Sequence, residues 1–218
     1  MTSVDVSTPD DGRTSPACAL ETLLEWRRDV RHFQRRPVPE AEMEQLFALT
    51  RFAPSVGNAQ PWRFVRVRNP DLRVALARHV DETAMEAGQA YEGECQALYN
   101  ALKLHGVREA PEIVAVYSDE RPSAGHGLGI RTMPEALRYS TVLAIHTLWL
   151  AASSRGIGLG WISILEAAVV NQLLCTPPEW HFVALLCIGY PEEPSDRPEL
   201  DRRGWQAREC WQDRVSER

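Results

Sequence analysis

Apolar positions at Leu20, Leu23 and Leu24 recur at helical spacing and run into a charge cluster, Arg27-Arg28-Asp29-Val30-Arg31. Pro37 and Pro39 break the chain there. A second helix opens at Pro39-Glu40-Ala41-Glu42, carries Met43, Leu46, Phe47 and Thr50 on one face, and stops before Pro54. From Ala53 to Trp62, two prolines, a glycine and an asparagine exclude regular structure over nearly the whole stretch, and a loop of this length that carries Trp62 is expected to be held by tertiary contacts. Alternation and β-branching predict a strand over Phe64–Val67. Next come a helix over about 70–80 and a longer, weakly apolar one through Glu94, Leu98 and Leu102, suited to a neighbouring subunit or a lid. A short strand is expected at Ile113–Tyr117. Residues 119–132, with four charges, Pro122 and three glycines, read as a mobile loop, and loops of this kind often serve as lids. Tyr139–Ser154 is apolar almost all round, so that helix is expected inside the domain or at a dimer interface. Gly156, Gly158 and Gly160 alternate into a strand through Ile164, which leaves one side bare for a helix or a flat ligand. A short helix at Val169–Leu174, a core strand at His181–Gly189 and a polar tail holding Trp205 and Trp211 complete the order. Three or four strands and five or more helices without a βαβ rhythm make the class α+β.

Composition narrows the function. A chain of 218 residues suffices for one domain, and a net charge of −6 leaves no basic surplus for nucleic acid. Lys103 is the only lysine, so the abundance of arginine carries no functional weight by itself. Five widely spaced cysteines form no C-x-x-C pair, and the six histidines show no metal-ligand spacing, so no metal site is expected. Residues 1–16 are acidic and rich in Ser, Thr, Pro and Asp; they read as a disordered tail rather than a signal peptide. No apolar run reaches membrane-spanning length, and a cytoplasmic address is expected.

Three features then ask for one ligand: guanidinium groups suited to phosphate, an irregular loop bearing the amides of Asn58 and Gln60, and a glycine-cleared strand ending in Trp161-Ile162-Ser163. Flavin mononucleotide (FMN) meets all three, with the arginines on its phosphate and the glycine strand under its ring. The glycines are not a dinucleotide fingerprint, because they follow a helix and precede a strand.

Arg27-Arg28-Asp29-Val30-Arg31, Ala53-Pro54-Ser55 with Gln60-Pro61-Trp62, and Gly158-Leu159-Gly160-Trp161-Ile162-Ser163-Ile164 resemble the FMN-binding nitroreductase superfamily. Within it they are most similar to the BluB branch, the 5,6-dimethylbenzimidazole synthases. The likeness runs from about residue 20 to 210. It takes in Lys103-Leu104-x-Gly106-x-Arg108-x-Ala110-Pro111, Tyr139-Ser140-Thr141-Val142, Leu148-Trp149-Leu150-Ala151-Ala152 and Gly204-Trp205. The resemblance implies a nitroreductase-like fold: a central, mostly antiparallel sheet flanked by helices, in a domain-exchanged homodimer with two FMN sites built from both chains. The domain spans 17–218, with a lid at about 119–137. The implied cofactor contacts are Arg27, Arg28, Asp29, Val30, Arg31, Ser55, Val56, Gly57, Asn58, Gln60, Trp161, Ile162, Ser163 and Arg208.

Ordinary nitroreductases carry Ser or Thr at position 29, whereas the BluB branch carries Asp there and Ser at 163, and both are present here. That branch consumes reduced FMN with molecular oxygen, yielding 5,6-dimethylbenzimidazole and erythrose 4-phosphate; a separate flavin reductase delivers the reduced FMN. Asp29 is the implied base near the first ribityl carbon, and Ser163 the hydrogen-bond partner near the reactive flavin nitrogen. A plain ion pair of Asp29 with Arg27 or Arg31 is the alternative. Asn58 and Ala59 stand where the branch has bulky apolar residues, and Ile130 and Leu137 where it has Arg and Asp, which predicts a wetter pocket over the ring. Two other functions stay open: an NAD(P)H-dependent reductase of nitroaromatics, quinones or enones that retains FMN, and a flavin-binding protein without turnover.

Overall fold

The computed structural model describes residues 15–193 and 195–218. Helix α1 (Pro16–Trp26) starts where Pro16 occupies the first turn and the Ser15 hydroxyl accepts the Cys18 N–H at 3.2 Å. The helix therefore begins at Pro16, inside the tail expected to reach residue 16; residues 1–14 of that tail lie outside the described residues. Helix α2 (Glu40–Leu49) and strand β1 (Trp62–Arg66) follow.

Helix α3 (Pro70–Gly88) is capped by Asn69, whose side chain accepts the N–H groups of Asp71 and Leu72 at 2.8 and 3.3 Å. It runs for 19 residues, and α4 (Gly93–Asn100) for only 8, which reverses the expected lengths. Ala84 and Ala87 prolong the first helix, and Gly93, at φ 57°, forces a turn no ordinary residue takes cheaply. Tyr99 then folds α4 back on α3, its hydroxyl donating to the Ala84 carbonyl at 3.0 Å.

Strand β2 (Glu112–Asp119), helix α5 (Ala136–Ser153), strand β3 (Gly158–Ile162), helix α6 (Ala167–Leu174), strand β4 (Trp180–Gly189) and the single turn α7 (Glu199–Arg202) complete the α-helices and strands of the described residues, beside short 3-10 turns at Thr50–Phe52, Val56–Asn58 and Trp211–Arg214. The four strands form one antiparallel sheet in the order β1-β2-β4-β3. Its central strands are buried on both faces, so they read as continuous apolar runs rather than as alternation. Ile113, Ala115, Tyr117, Leu185 and Cys187 pack with Leu76, Val80 and Val170 on the α3/α6 side. Val114, Val116, Ala184, Leu186 and Ile188 pack with Met43, Leu46, Ile145 and Leu148 on the α2/α5 side. Helix α5 buries Leu137, Ala144, Ile145 and Leu148, yet Tyr139, Val142 and Leu143 on its other side are exposed in the single chain.

The side of β3 expected to lie bare is filled by the chain itself. Asp29 forms a parallel bridge with Leu159, the Val30 N–H donates to the Leu159 carbonyl at 3.1 Å, and Gln34 N–H reaches the Tyr190 carbonyl at 2.9 Å. A Cβ on Gly160 would stand 2.1 Å from the Val30 carbonyl oxygen, and one on Gly158 would stand 2.7 Å from Val30 Cγ2. Gly158 and Gly160 are small to admit the segment after α1, not a ring. The charge cluster is thereby fastened along the edge strand.

Candidate active site

The three arginines of the cluster do three different things. Arg27 is the C-cap of α1, and its guanidinium lies 4.6 Å from the centre of the Trp149 ring. Burial lowers its pKa from the ordinary value; Asp29 opposes this, and the nearby charges of Arg208 and Arg28 add to it. Arg28 is lowered for the same first reason and again by Arg208. Arg27, Arg28 and Arg208 thus crowd like charges, an arrangement that favours an anion. Arg28 also donates to the backbone carbonyls of Glu25, Arg27 and Asp196, while its Nε is buried without a partner among the described residues. Arg31 points elsewhere: its Nε donates to Asp29 Oδ2 at 3.0 Å and its Nη1 to the Lys103 carbonyl at 3.2 Å.

Asp29 is held from two sides. Its Oδ2 faces Arg31, and its Oδ1 accepts the backbone N–H of Trp161 at 3.0 Å. Of the two ion pairs open from sequence, the contact made is with Arg31. A third of the carboxylate side chain remains exposed, so the group is anchored without being sealed. Ser163 lies just past β3 and is exposed, and Trp161 is half-buried. Ile162 is buried in the core beside Leu185 and Val170, so its side chain is not free for a ligand. Val30 spends its side chain on Gly158.

The loop before β1 forms a second group. Gly57, Asn58 and Gln60 all have positive φ, at 54°, 55° and 48°. Ser55 Oγ accepts the Gln60 N–H at 3.1 Å, the Val56 N–H donates to Ser140 Oγ at 3.0 Å, and the Gln60 amide reaches the Asn58 carbonyl at 3.3 Å. The glycine-rich segment between β2 and α5 is seated directly on this loop. A Cβ on Gly57 would meet the Leu128 carbonyl at 2.8 Å, one on Gly125 would meet Ala59 Cβ at 2.8 Å, and one on Gly129 would meet Val56 Cγ2 at 2.8 Å. Ala59 is therefore buried against that segment, and the opening expected from its small size is not found at this position. Leu137 is a core residue of α5, not a missing polar contact over the ring.

Helix α5 carries both groups. Ser140 holds the loop, and Trp149 Nε1 donates to the Arg28 carbonyl at 3.0 Å. Nine residues of helix separate these contacts, about 13 Å along the axis. A cleft of about 730 Å³ is lined by Arg28, Asp29, Val30 and Arg31, and by none of Ser55–Gln60, Trp161–Ser163 or Arg208. One chain brings together Asp29, Arg31 and the end of β3, and Arg27 with Arg28 and Arg208, but keeps Ser55–Gln60 apart. Sequence reasoning missed the positional roles of Trp149, Ser140 and the Lys103 carbonyl. Their motifs stood out only by resemblance, because an indole donor or a backbone oxygen leaves no periodic signal.

A nitroreductase family profile matches residues 24–190. The chain is 51% identical over 189 residues to a 5,6-dimethylbenzimidazole synthase of Rhodospirillum rubrum, covering 87% of this chain and 90% of that one. It is 50% identical over 188 residues to a 5,6-dimethylbenzimidazole synthase of Rhodobacter capsulatus, covering 86% and 91%. Among solved structures, an iodotyrosine deiodinase bound to FMN and 3-iodo-L-tyrosine superposes with a TM-score of 0.68 at 25% identity, covering 81% of this chain and 91% of that one. The NADPH:FMN oxidoreductase of Vibrio harveyi complexed with NAD+ shares the fold, with a TM-score of 0.66 at 21% identity over 91% of this chain and 76% of that one. The chain belongs to the nitroreductase family, within its 5,6-dimethylbenzimidazole synthase (BluB) branch.

Proposed function

We propose that the protein is a 5,6-dimethylbenzimidazole synthase that takes reduced FMN and molecular oxygen as substrates and works as a cytoplasmic homodimer. The observation that carries this reading is the anchored carboxylate of Asp29, fixed by Arg31 and by the N–H of Trp161, two residues before the exposed Ser163. A binding protein has no need of an oriented base. The residues fit FMN: Arg27, Arg28 and Arg208 form a cationic group, with Arg28 Nε unpartnered among the described residues, suited to the phosphate.

Reduced FMN supplies the electrons for oxygen and the ring that becomes the benzimidazole. Arg27 and Arg208 bind its phosphate. Asp29 accepts a proton from the first ribityl carbon, and Ser163 orients the reactive ring edge by a hydrogen bond. The loop Ser55–Gln60 serves the site of a second copy, which accounts for its separation from the arginines and for the exposed Tyr139, Val142 and Leu143 on α5. The segment at about 119–137, whose glycines are seated on that loop, acts as the lid that excludes water. Five free cysteines, four of them exposed, suit a reducing compartment.

The test is to load the protein with photoreduced FMN, admit oxygen and chromatograph the products over hours. Dimethylbenzimidazole is expected from the native protein and not from Asp29→Asn, which should still bind FMN. Quantitative recovery of FMN from the native protein overturns the reading. Steady NAD(P)H oxidation with a nitroaromatic acceptor would then identify a conventional reductase that retains its flavin, and silence in both assays a flavin-binding protein.

A further inference from the structure

We propose that Arg31 is a positioning residue that orients Asp29, and not part of the phosphate clamp; the inference rests on the reading of Asp29 as the base. In an extended segment residues two apart project to the same side, so Arg31 is placed to reach back to Asp29. It does so through Nε at 3.0 Å, while Nη1 is tied to the Lys103 carbonyl at 3.2 Å. The side chain is only 14% exposed, and Arg31 is not among the charges that lower Arg27 or Arg28.

The segment just after the Lys103 carbonyl packs closely on Arg31 and Phe33. A Cβ on Gly106 would stand 2.5 Å from Phe33 Cδ2 and 2.9 Å from the Arg31 carbonyl, so the segment after Lys103 is pressed against Arg31 and Phe33. The chain of contacts runs from Lys103 through the guanidinium to Oδ2, and from Oδ1 to the Trp161 N–H at the edge of β3. Among the described residues each carboxylate oxygen has one donor, and it keeps acceptor capacity for the substrate. Two donors from different elements fix the plane of the carboxylate, as one donor does not. A guanidinium offers that fork and an ammonium does not, so Lys at this position restores charge but not geometry.

The experiment compares Arg31→Met and Arg31→Lys with the native protein. FMN affinity is read from quenching of flavin fluorescence, product formation at saturating reduced FMN by chromatography, and the Trp161 amide by hydrogen exchange. Arg31→Met is expected to change the FMN Kd less than threefold, to lower the saturated rate at least tenfold, and to speed Trp161 amide exchange at least tenfold. Arg31→Lys should recover part of the rate. A tenfold loss of FMN affinity with an unchanged saturated rate, or Trp161 protection equal to native in both variants, overturns the proposal. If the native protein makes no dimethylbenzimidazole, the functional reading fails by itself, and Trp161 exchange still decides whether Arg31 holds Asp29.

Discussion

Gly160 and Val30 approach so closely that a Cβ on the glycine would stand 2.1 Å from the Val30 carbonyl oxygen. Backbone, unlike a flexible side chain, cannot swing aside. Gly160→Ala must push the segment from Asp29 to Phe33 off the edge of β3, breaking the Val30-to-Leu159 hydrogen bond and moving Asp29 away from the Trp161 N–H. Overpacking of this kind costs about 1–3 kcal/mol or more. Urea denaturation is expected to show a loss at the top of that range, and the FMN titration a weaker site. Gly156→Ala, where no atom of the described residues lies within 4 Å, should cost only the strain of its φ of 69°, about 1 kcal/mol.

Arg208 stands close enough to Arg27 and Arg28 to lower the pKa of both. Without a ligand that proximity is repulsive; with a phosphate it becomes attractive. Arg208→Ala should therefore leave the melting temperature of the flavin-free protein unchanged or slightly raised, while weakening FMN binding about tenfold, the worth of one charge-assisted hydrogen bond. Calorimetry with and without FMN reads both signs. Equal loss of stability in the two states would mean that Arg208 is structural.

Trp205 sits against Tyr91 and Tyr99, with ring centroids 5.4 and 6.1 Å away, three residues before Arg208. Trp205→Ala removes the aromatic anchor of this segment without touching a guanidinium. FMN affinity should fall less than in Arg208→Ala, and the double variant should lose no more than the Arg208 single variant, because both act through one contact. Full additivity in fluorescence titrations would separate the two residues.

Ser163 is exposed beyond the end of β3. Ser163→Ala should leave the unfolding free energy within about 0.5 kcal/mol of native, as surface changes do, while lowering product formation at least tenfold. Chemical denaturation and product chromatography on the same preparation test the pair. A stability loss above about 1 kcal/mol points to an unrecognised structural contact.

Cys187 is fully buried, and burial, partly offset by a hydrogen bond from Gly106, pushes its thiol from 9.0 up to about 12. The folded state therefore holds this proton after the unfolded state has lost it. Its contribution is complete below about pH 9 and is lost as pH rises towards 12. Cys187→Ala should flatten that part of the stability–pH curve. Iodoacetamide at about pH 8 is expected to label the exposed Cys18, Cys95, Cys175 and Cys210 in the native protein, and Cys187 only after unfolding.

Local chemistry made much of this protein legible from its residues alone. Apolar runs bounded by Pro and Gly located all four strands and the helices around Met43, Ile145 and Val170, because secondary structure follows periodicity and breakers. The arginine cluster stood out because guanidinium groups suit a phosphate, and the Asp29/Ser163 pair through the family resemblance. Tertiary structure decided what each of them touches. It set Val30 against the glycines of β3, gave Asp29 to Arg31 and Trp161, and placed Leu137 in the core. It also held Ser55–Gln60 away from the arginines along α5. Those outcomes depend on which backbones close on one another across long stretches of chain, through carbonyls, amide groups and missing Cβ atoms that every sequence possesses and none displays as a pattern.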